Sequence, residues 1–277
     1  MSPDELPTGS AELLNPQARQ ERIRDRVLEL GSARIEDLAR ELGVSVMTIH
    51  RDLDRLADEG WLRKTRGAAT AQQSVLFESN VRYRTTQQGE AKKALAGAAL
   101  EHIDRGQAIL LDDSTTSLAL ARALPESGQL TVITNFLAIV NALAGRPGIE
   151  LISLGGSYDP HYDAFQGMAT CDRIKPLRAD TVFISTSAVA DGHCYHQSQE
   201  AILVKRALLE AAQRRILLVD HTKFQKRALH RVAPLSDFDL VIVDDRISGP
   251  ELEALREDGV NVQVAALSPE KPESRAT

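Results

Sequence analysis

The sequence predicts a two-domain α/β protein: a small helical unit with a hairpin at its end, then a larger Rossmann-like domain with a parallel sheet. Apolar residues recur at helical spacing in three short segments before residue 60. A short basic segment that contains a turn-forming glycine follows them, which is typical of a β-hairpin. From Glu90 onward, apolar runs of strand length alternate with helical stretches, the pattern of a parallel sheet covered by helices.

The length and composition favour a soluble globular protein with two domains. The chain has 277 residues, more than one small core needs, and 43% hydrophobic with 26% charged residues gives no sign of disorder. No apolar run approaches the roughly 20 residues of a membrane helix, and the N-terminus lacks the features of a secretory signal. Two cysteines, Cys171 and Cys194, are too few for a disulfide framework. We therefore expect a cytoplasmic protein that does not contact a membrane.

The net charge of −6 is unevenly distributed. Residues 1–16 carry three acidic residues and no basic one, residues 17–70 carry 11 Arg or Lys against 10 Asp or Glu, and the remainder carries 22 against 26. Residues 17–70 are thus the only region that is not acidic, which weakly favours them as the part that contacts a polyanion.

Two short amphipathic helices are predicted before residue 44. The apolar stripe of the first is formed by Ile23, Val27 and Leu30, and that of the second by Ile35, Leu38, Ala39 and Leu42. Gly31 and Gly43 follow these stripes in the position of a helix C-cap. A third helix starts close behind, because the hydroxyl of Ser45 can accept from its first free amides. The pattern predicts a helix, a tight turn and a helix.

The third helix has one apolar and one polar face. Its apolar face, which we expect to be buried, consists of Val46, Ile49, Leu53 and Leu56, and the helix is expected to end at Gly60. The outward face near its N-terminus consists of Met47, Thr48, His50 and Arg51. In a helix-turn-helix this face enters the major groove, where Arg pairs with guanine and Thr or Met contacts a thymine methyl. Double-stranded operator DNA is therefore the expected partner, with Ser45 among its contacts.

A basic hairpin follows the third helix. Residues 61–64 are predicted to form a short strand, and 65–67 the hairpin tip. Such a wing would place Arg63, Lys64 and Arg66 against the phosphate backbone, where they add affinity without sequence preference. The spacing alone leaves open a three-helix module that binds another protein.

A dense set of motif residues lies between Arg22 and Ala69. It comprises Val44-Ser45, Thr48-Ile49, Arg51-Asp52-Leu53, Leu56, Gly60 and Arg66-Gly67-Ala68. These residues resemble the N-terminal signature of the DeoR family of bacterial transcription regulators, which implies a winged helix-turn-helix that binds an operator. Two positions depart from the family pattern, which has Arg at His50 and glycine at Ala68. Because an imidazole cannot make the bidentate guanine contact of a guanidinium, the first departure implies a different operator preference.

Six strands and four helices are predicted in the second half of the chain. The strands are 108–111, 130–134, 149–154, 181–185, 216–220 and 240–244. The helices are 90–103, 116–124, 135–144 and 200–212. Between the two halves, 68–73 is small and polar and is predicted to be a hinge, with Val75, Leu76 and Phe77 available to dock it on either domain.

Polar clusters follow several of these strands. In open α/β sheets, ligands collect at the carboxyl ends of the strands. The effector contacts expected there are Asp112, Asp113, Ser114, Thr115, Thr116, Thr134, Asn135, Gly155, Gly156, Asp191 and Lys223. The first cluster joins hydroxyls and free amides to a helix N-terminus, which favours a phosphate. Helix caps and turns explain any single cluster, whereas several at equivalent strand ends favour a ligand site.

A second set of matching positions lies between residues 90 and 245. It comprises Thr134-Asn135, Gly155-Gly156, Gly167, Asp220 and Lys223-Phe224. This half resembles the DeoR effector domain and is similar in fold to ribose-5-phosphate isomerase, which implies that the effector is a sugar phosphate. The family's phosphate loop is Asp, a small residue, Gly, Thr, Thr, so that Ser114 replaces the glycine and Asp113 adds a negative charge. That charge would either exclude a phosphate or bind sugar hydroxyls.

These observations predict a transcriptional regulator, most simply a repressor of carbohydrate metabolism genes, that a phosphorylated sugar controls. We expect a disordered tail at 1–16, a winged helix-turn-helix domain at 17–72, a linker at 73–89, an effector-binding α/β domain at 90–268 and a disordered tail at 269–277. A homodimer or homotetramer is expected, because operators repeat their half-sites. No catalytic residue, cofactor or metal ligand is assigned.

Three alternatives stay open at this point. A sugar-phosphate isomerase would use Asp191 or Asp112 as the base and Lys223 as an electrostatic stabiliser. A ligand-independent DNA binder would carry an inactive phosphate loop. Finally, 193–196 has the sequence His-Cys-Tyr-His, but adjacent ligands rarely complete a tetrahedral zinc site, so that we expect no metal there.

Overall fold

The computed structural model describes residues 15–58, 61–71, 81–126 and 128–267. The predicted helix end at Gly60, the three apolar residues 75–77 and nearly all of the two predicted tails lie outside these ranges. The chain divides into two compact units, residues 1–86 and 87–277.

The first unit contains four helices and three strands among its described residues. They are α1 (Pro16–Leu30), β1 (Ser32–Arg34), α2 (Ile35–Leu42), α3 (Val46–Asp58), β2 (Leu62–Thr65), β3 (Ala68–Ala71) and α4 (Val81–Thr86). Strand β3 pairs antiparallel with β1 on one side and β2 on the other, and the β2–β3 hairpin is the wing. The predicted winged helix-turn-helix is confirmed.

Three boundaries in this unit differ from the prediction. Helix α1 starts within the predicted tail, because Asn15 caps it by accepting from the Ala18 N–H at 2.8 Å. The predicted hinge at 68–73 is wrong for its first four residues, which form β3 and bury Ala69 completely. Helix α4 lies within the predicted linker, and its Tyr83 packs against the core of this unit.

The core of the first unit is formed by the predicted apolar stripes. It includes Ile23, Val27, Ile35, Leu38, Ile49, Leu53, Leu56 and Leu62, all nearly inaccessible to solvent. Full burial of each large aliphatic side chain stabilises the fold by about 1.5–3 kcal/mol. Leu30 and Val46 were expected in these stripes but are 54% and 44% exposed. They are the last residue of α1 and the first of α3, where a helix projects beyond the neighbours that could cover it.

The second unit is larger and is built on strands. It contains, in chain order, α5 (Gly89–Leu100), β4 (Ala108–Leu111), α6 (Thr115–Ala123), β5 (Leu130–Thr134), α7 (Leu137–Leu143), β6 (Ile149–Ser153), β7 (Ser157–Asp159), β8 (Ala164–Gln166), α8 (Met168–Ile174), β9 (Ala179–Ile184), β10 (Ala188–Ala190), β11 (His193–His196), α9 (Gln199–Glu210), β12 (Ala212–Val219), β13 (His230–Pro234), β14 (Leu240–Asp244), α10 (Gly249–Glu257) and β15 (Val262–Ala265). Two 3₁₀ helices, His221–Gln225 and Leu235–Asp237, flank β13. Among the described helices of both units, none combines the length and hydropathy needed to cross a bilayer.

Seven parallel strands form the main sheet in the order β15-β14-β12-β9-β4-β5-β6. All six predicted strands are present, which confirms the parallel-sheet α/β class. Strands β4, β5 and β6 follow one another from the middle of the sheet to one edge, and the next strand of the sheet, β9, lies on the other side of β4. The order therefore reverses between β4 and β9, and ligands of open α/β sheets bind at such a switch point.

Candidate DNA-binding and effector sites

The N-terminus of α3 is held by the predicted cap. The Ser45 Oγ accepts a hydrogen bond from the Thr48 N–H at 3.1 Å and lies 2.9 Å from the Thr48 Oγ1. The turn before it is held by Gly43, which adopts a left-handed conformation with φ of 63°. This arrangement orients the first turns of α3 outward, as the local sequence predicts.

The five predicted base-contacting residues lie together around the first turns of α3. Ser45, Met47 and Arg51 are exposed, Met47 to 69%, whereas Thr48 and His50 are half-buried. The face offers one guanidinium, one imidazole, two hydroxyls and one thioether, which suffice to read base edges in the major groove.

Asp52 anchors α3 to α1. Its buried carboxylate accepts from the Arg19 Nε at 2.6 Å and Nη2 at 3.2 Å, and from the Gln20 Nε2 at 2.9 Å. The bidentate geometry fixes the angle between the two helices. We had not predicted this role, although Asp52 belongs to the family motif, because nothing in the sequence pairs it with residues more than 30 positions away.

The wing carries two cations that make no ion pair with a described residue. Arg63 and Arg66 are exposed on β2 and in the β2–β3 turn. Lys64, predicted beside them, instead has its Nζ 2.5 Å from the Asp54 Oδ1 of α3. The ammonium of Lys64 is thus already paired, unlike the guanidinium groups of the two arginines.

The second site lies at the carboxyl edge of the main sheet, at the switch point. Asp112 directly follows β4, whose last residue pairs with Thr134 on one side and Phe183 on the other. The fully buried carboxylate of Asp112 accepts from the N–H groups of Ser114 and Ser185 at 3.1 and 2.9 Å, and from the Ser117 Oγ at 2.7 Å. It therefore ties together the two strands at which the order reverses.

Lys205 of α9 completes this cluster and had not been predicted. Its ammonium is buried, contacts the Asp112 carboxylate and lies 3.0 Å from the Asp113 Oδ1. Burial alone would lower the pKa of Lys205, but the two carboxylates outweigh it and the pKa is raised, so that the lysine stays charged. The cation offsets the charge that Asp113 adds to the phosphate loop. The sequence does contain a signal for this role, because Lys205 lies three residues after Ile202, on the apolar face of an amphipathic helix.

The first turn of α6 provides the expected anion-binding geometry. Ser114 caps the helix by accepting from the Ser117 N–H at 3.0 Å, and Thr115 and Thr116 are buried on the first turn. The helix dipole and the N–H groups at this end favour a negative group. The cap confirms the predicted helix start to within one residue.

The ends of β5 and β6 lie beside this turn. The Thr134 Oγ1 accepts from the Phe136 N–H at 3.1 Å, and the Asn135 Nδ2 donates to the Phe165 carbonyl at 3.0 Å. Gly156 has a positive φ of 130°, and a Cβ there would lie 2.0 Å from the Thr170 Oγ1. Close packing therefore requires the second glycine, whereas a Cβ on Gly155 would meet no atom within 4 Å.

Of the two remaining predicted effector residues, only Lys223 lies with the others. Asp191 is exposed in the turn between β10 and β11. The adjacent Gly192 lies near Asp258, which follows α10 and precedes β15, at the amino edge of the sheet. The structure does not bring Asp191 to the carboxyl edge. Lys223 does lie at that edge, after β12, with its Nζ 3.8 Å from the Asp220 Oδ2.

The four residues of 193–196 do not converge. Strand β11 buries Cys194 and His196 on one face and turns His193 and Tyr195 to the other. Burial raises the pKa of the Cys194 thiol to about 12, which disfavours the thiolate that binds metals. In the described ranges, no three His, Cys, Asp or Glu residues form a group that could hold a metal ion.

Comparison with known proteins assigns both units. Residues 19–75 match the DeoR-like helix-turn-helix domain, and residues 87–245 match the DeoR C terminal sensor domain. The L-fucose operon activator of Haemophilus influenzae is 32% identical over 227 residues, 82% of this chain and 91% of that protein. The glycerol-3-phosphate regulon repressor of Escherichia coli (strain K12) is 32% identical over 228 residues, 82% of this chain and 90% of that protein. A ribose 5-phosphate isomerase A from Methanocaldococcus jannaschii aligns with a TM-score of 0.37 and 15% identity, over 50% of this chain and 55% of that one.

Proposed function

Because this chain belongs to the DeoR family of helix-turn-helix transcriptional regulators, we propose that it binds operator DNA through α3 and the wing, and that a sugar phosphate bound by the second unit controls this binding. The observation that carries the proposal is the exposed face of α3 that starts at the Ser45 cap. Relatives that regulate an L-fucose operon and a glycerol-3-phosphate regulon support a carbohydrate-related target.

In the proposed complex, the residues of α3 contact base edges and the wing contacts phosphates. Arg51 is the strongest candidate for guanine recognition, since it is exposed and pairs with no described carboxylate. Arg63 and Arg66 supply affinity that is independent of sequence. One α3 covers only a few base pairs, so that a homodimer or homotetramer would hold several on a repeated operator. Such a role would place the protein in the cytoplasm.

The proposed effector site is the carboxyl edge of the main sheet. A phosphate would lie at the N-terminus of α6, near Thr115 and Thr116, where the dipole attracts it. Lys205 supports this assignment because it offsets one of the two buried carboxylates beside the loop. A relative that represses a glycerol-3-phosphate regulon also supports a phosphorylated effector for this chain.

We further propose that the chain is not an enzyme. Each carboxylate oxygen of Asp112, one of the two candidate bases, is already engaged by two donors, so that a substrate would have to displace one of them. Asp191, the other, is exposed in a turn outside the site. A direct assay of ribose 5-phosphate turnover tests this proposal, and turnover above the buffer rate would contradict it.

The effector proposal is tested by operator binding in the presence of sugar phosphates. Fluorescence anisotropy of a duplex enriched by the purified chain from a random library gives the affinity with and without each compound. At least one sugar phosphate is expected to change the affinity at least fivefold, because effector coupling in proteins is typically about 1–3 kcal/mol. Thr116→Val should remove this response without weakening operator binding, whereas Thr131→Val, away from the edge, should leave both unchanged. A panel in which no compound changes either affinity or melting temperature would contradict effector control.

A further inference from the structure

Two buried side-chain amide atoms, one at the end of β5 and one at the end of β8, make no hydrogen bond with any described residue. They are the Asn135 Oδ1, an acceptor, and the Gln166 Nε2, a donor. Asn135 is 1% exposed and Gln166 is 4% exposed. Burial without a partner is costly for an amide, and native proteins rarely tolerate it outside functional sites.

Both residues are positioned by contacts of the candidate effector site. The Asn135 backbone carbonyl accepts from the Phe165 N–H at 2.8 Å, and its Nδ2 donates to the Phe165 carbonyl, so that the residue before Gln166 is bound to the end of β5. The Thr170 Oγ1 bridges the carbonyls of Gln166 and Gly155 at 3.0 and 2.7 Å. Strand β8 also packs against α9, the helix that carries Lys205. Gln166 therefore lies among the three segments that form the edge of the site.

A carbonyl oxygen and an amide N–H₂ together match a group that both donates and accepts. A sugar hydroxyl is such a group, whereas a phosphate only accepts in its charged form. We propose that Gln166, with Asn135, recognises a hydroxyl of the effector's carbon chain, separately from the phosphate at α6. This inference rests on the proposed function, because it assigns the polyol part of the same ligand.

The packing of the hairpin does not require an amide at position 166. Strand β8 buries Ala164 and Gln166 on one face, a position that an apolar side chain of the same length would fill at lower cost. If Gln166 serves the ligand, the free protein should be less stable than a variant with an apolar side chain of the same length at this position, as is often the case for functional residues. If Gln166 serves the structure, the free protein should be more stable than that variant.

The test compares the full chain with Gln166→Met, which keeps the length of the side chain and removes the donor. The control is Gln107→Met, at the opposite edge of the sheet before β4. Calorimetry measures the affinity of each protein for inorganic phosphate, ribose 5-phosphate, glucose 6-phosphate and glycerol 3-phosphate, and for the deoxy counterparts of the tightest of these. Thermal unfolding of each free protein is measured alongside.

We expect Gln166→Met to weaken the tightest sugar phosphate about tenfold, the effect of losing one buried hydrogen bond. The affinity of Gln166→Met for inorganic phosphate should equal that of the wild-type chain. One deoxy counterpart should bind the variant and the wild-type chain equally. The melting temperature of the variant should be equal to or higher than that of the wild-type chain. An equal loss of affinity for inorganic phosphate and for every deoxy counterpart, or a melting temperature lower than that of the wild-type chain, would overturn this inference alone. A wild-type chain that binds no sugar phosphate would overturn it together with the proposed effector class.

Discussion

Individual polar residues of this chain either hold a site in place or are left to contact a ligand. Asp52, Asp112 and Lys205 are buried, and each is engaged by two or more partners. Met47 and Arg51 are exposed, and the Arg51 guanidinium makes no ion pair with a described residue. Substitutions in the first group should therefore change stability, and those in the second should change binding alone.

Arg51→Ala should weaken operator binding by about 1–3 kcal/mol and relax the preference at one base pair, because a bidentate guanine contact is lost. Anisotropy on the selected duplex and its single-base variants measures both effects. Arg122→Ala, an exposed arginine of α6, is the matched control and should change neither. An unchanged base preference in Arg51→Ala would show that α3 does not enter the groove through this residue.

Arg66→Ala should weaken binding to all sequences alike and reduce the salt dependence by about one phosphate contact. Lys64→Ala should have the smaller effect, because Lys64 must first leave the Asp54 carboxylate. Titrations at several salt concentrations give the slope for each variant. A larger loss of slope in Lys64→Ala than in Arg66→Ala would contradict the placement of the wing.

Lys205→Met should lower the free energy of unfolding by about 3–5 kcal/mol, because two buried carboxylates lose their cation. Lys93→Met, which breaks an exposed ion pair with Glu90, should change it little. Chemical denaturation measures both.

Since the pKa of Lys205 is raised on folding, its stabilising contribution is present below the ordinary lysine value of about 10.4 and is lost only as the pH rises through the raised value. The difference in unfolding free energy between the wild-type chain and Lys205→Met should therefore persist from pH 6 to 9. A loss of this difference within that range would contradict the assignment.

At the scale of elements, the strands of the central sheet were predictable and the smaller sheets were not. Strands β4, β9 and β14 are buried on both faces for most of their length, and β12 over its second half, so that their apolar runs are continuous there. Strand β15 was missed because it lies at the sheet edge, where only one of its four residues is buried. Strands β7, β8, β10, β11 and β13 are outside the main sheet, and none of them is buried along its whole length, so that none forms a continuous apolar run.

The loop after β6 provides a prediction at this scale. Gly156→Ala should destabilise the second unit, because the new Cβ would lie 2.0 Å from the Thr170 Oγ1 and 2.9 Å from the Gln166 carbonyl. Gly97→Ala, at an exposed position of α5 where a Cβ meets no atom within 4 Å, should raise stability by about 0.5–1 kcal/mol. Thermal unfolding compares the two. A stabilised Gly156→Ala would contradict the packing of this loop.

At the scale of the whole molecule, the sequence predicted a DNA-binding unit followed by a sensor unit, and both are present. Motif residues within one helix sufficed for the first site, since Ser45 to Arg51 are neighbours in sequence and in space. The second site depends on contacts between distant segments. Lys205 lies 93 positions from Asp112 and Gln166 lies 31 from Asn135, so that local patterns could not associate them. For Asp191 the local pattern was misleading: the segment around Asp191 resembles a polar cluster at a strand end, but the residue lies in a surface turn.

The central claim is that the face of α3 from Ser45 onward reads base pairs inside duplex DNA. Selection from a randomised duplex library, followed by footprinting of the enriched fragments, tests it most directly. We expect the chain to enrich one motif and to protect its major-groove guanines, and Arg51→Ala to enrich a broader motif that has lost one guanine. A chain that retains the library without enrichment and leaves genomic fragments unprotected would contradict it.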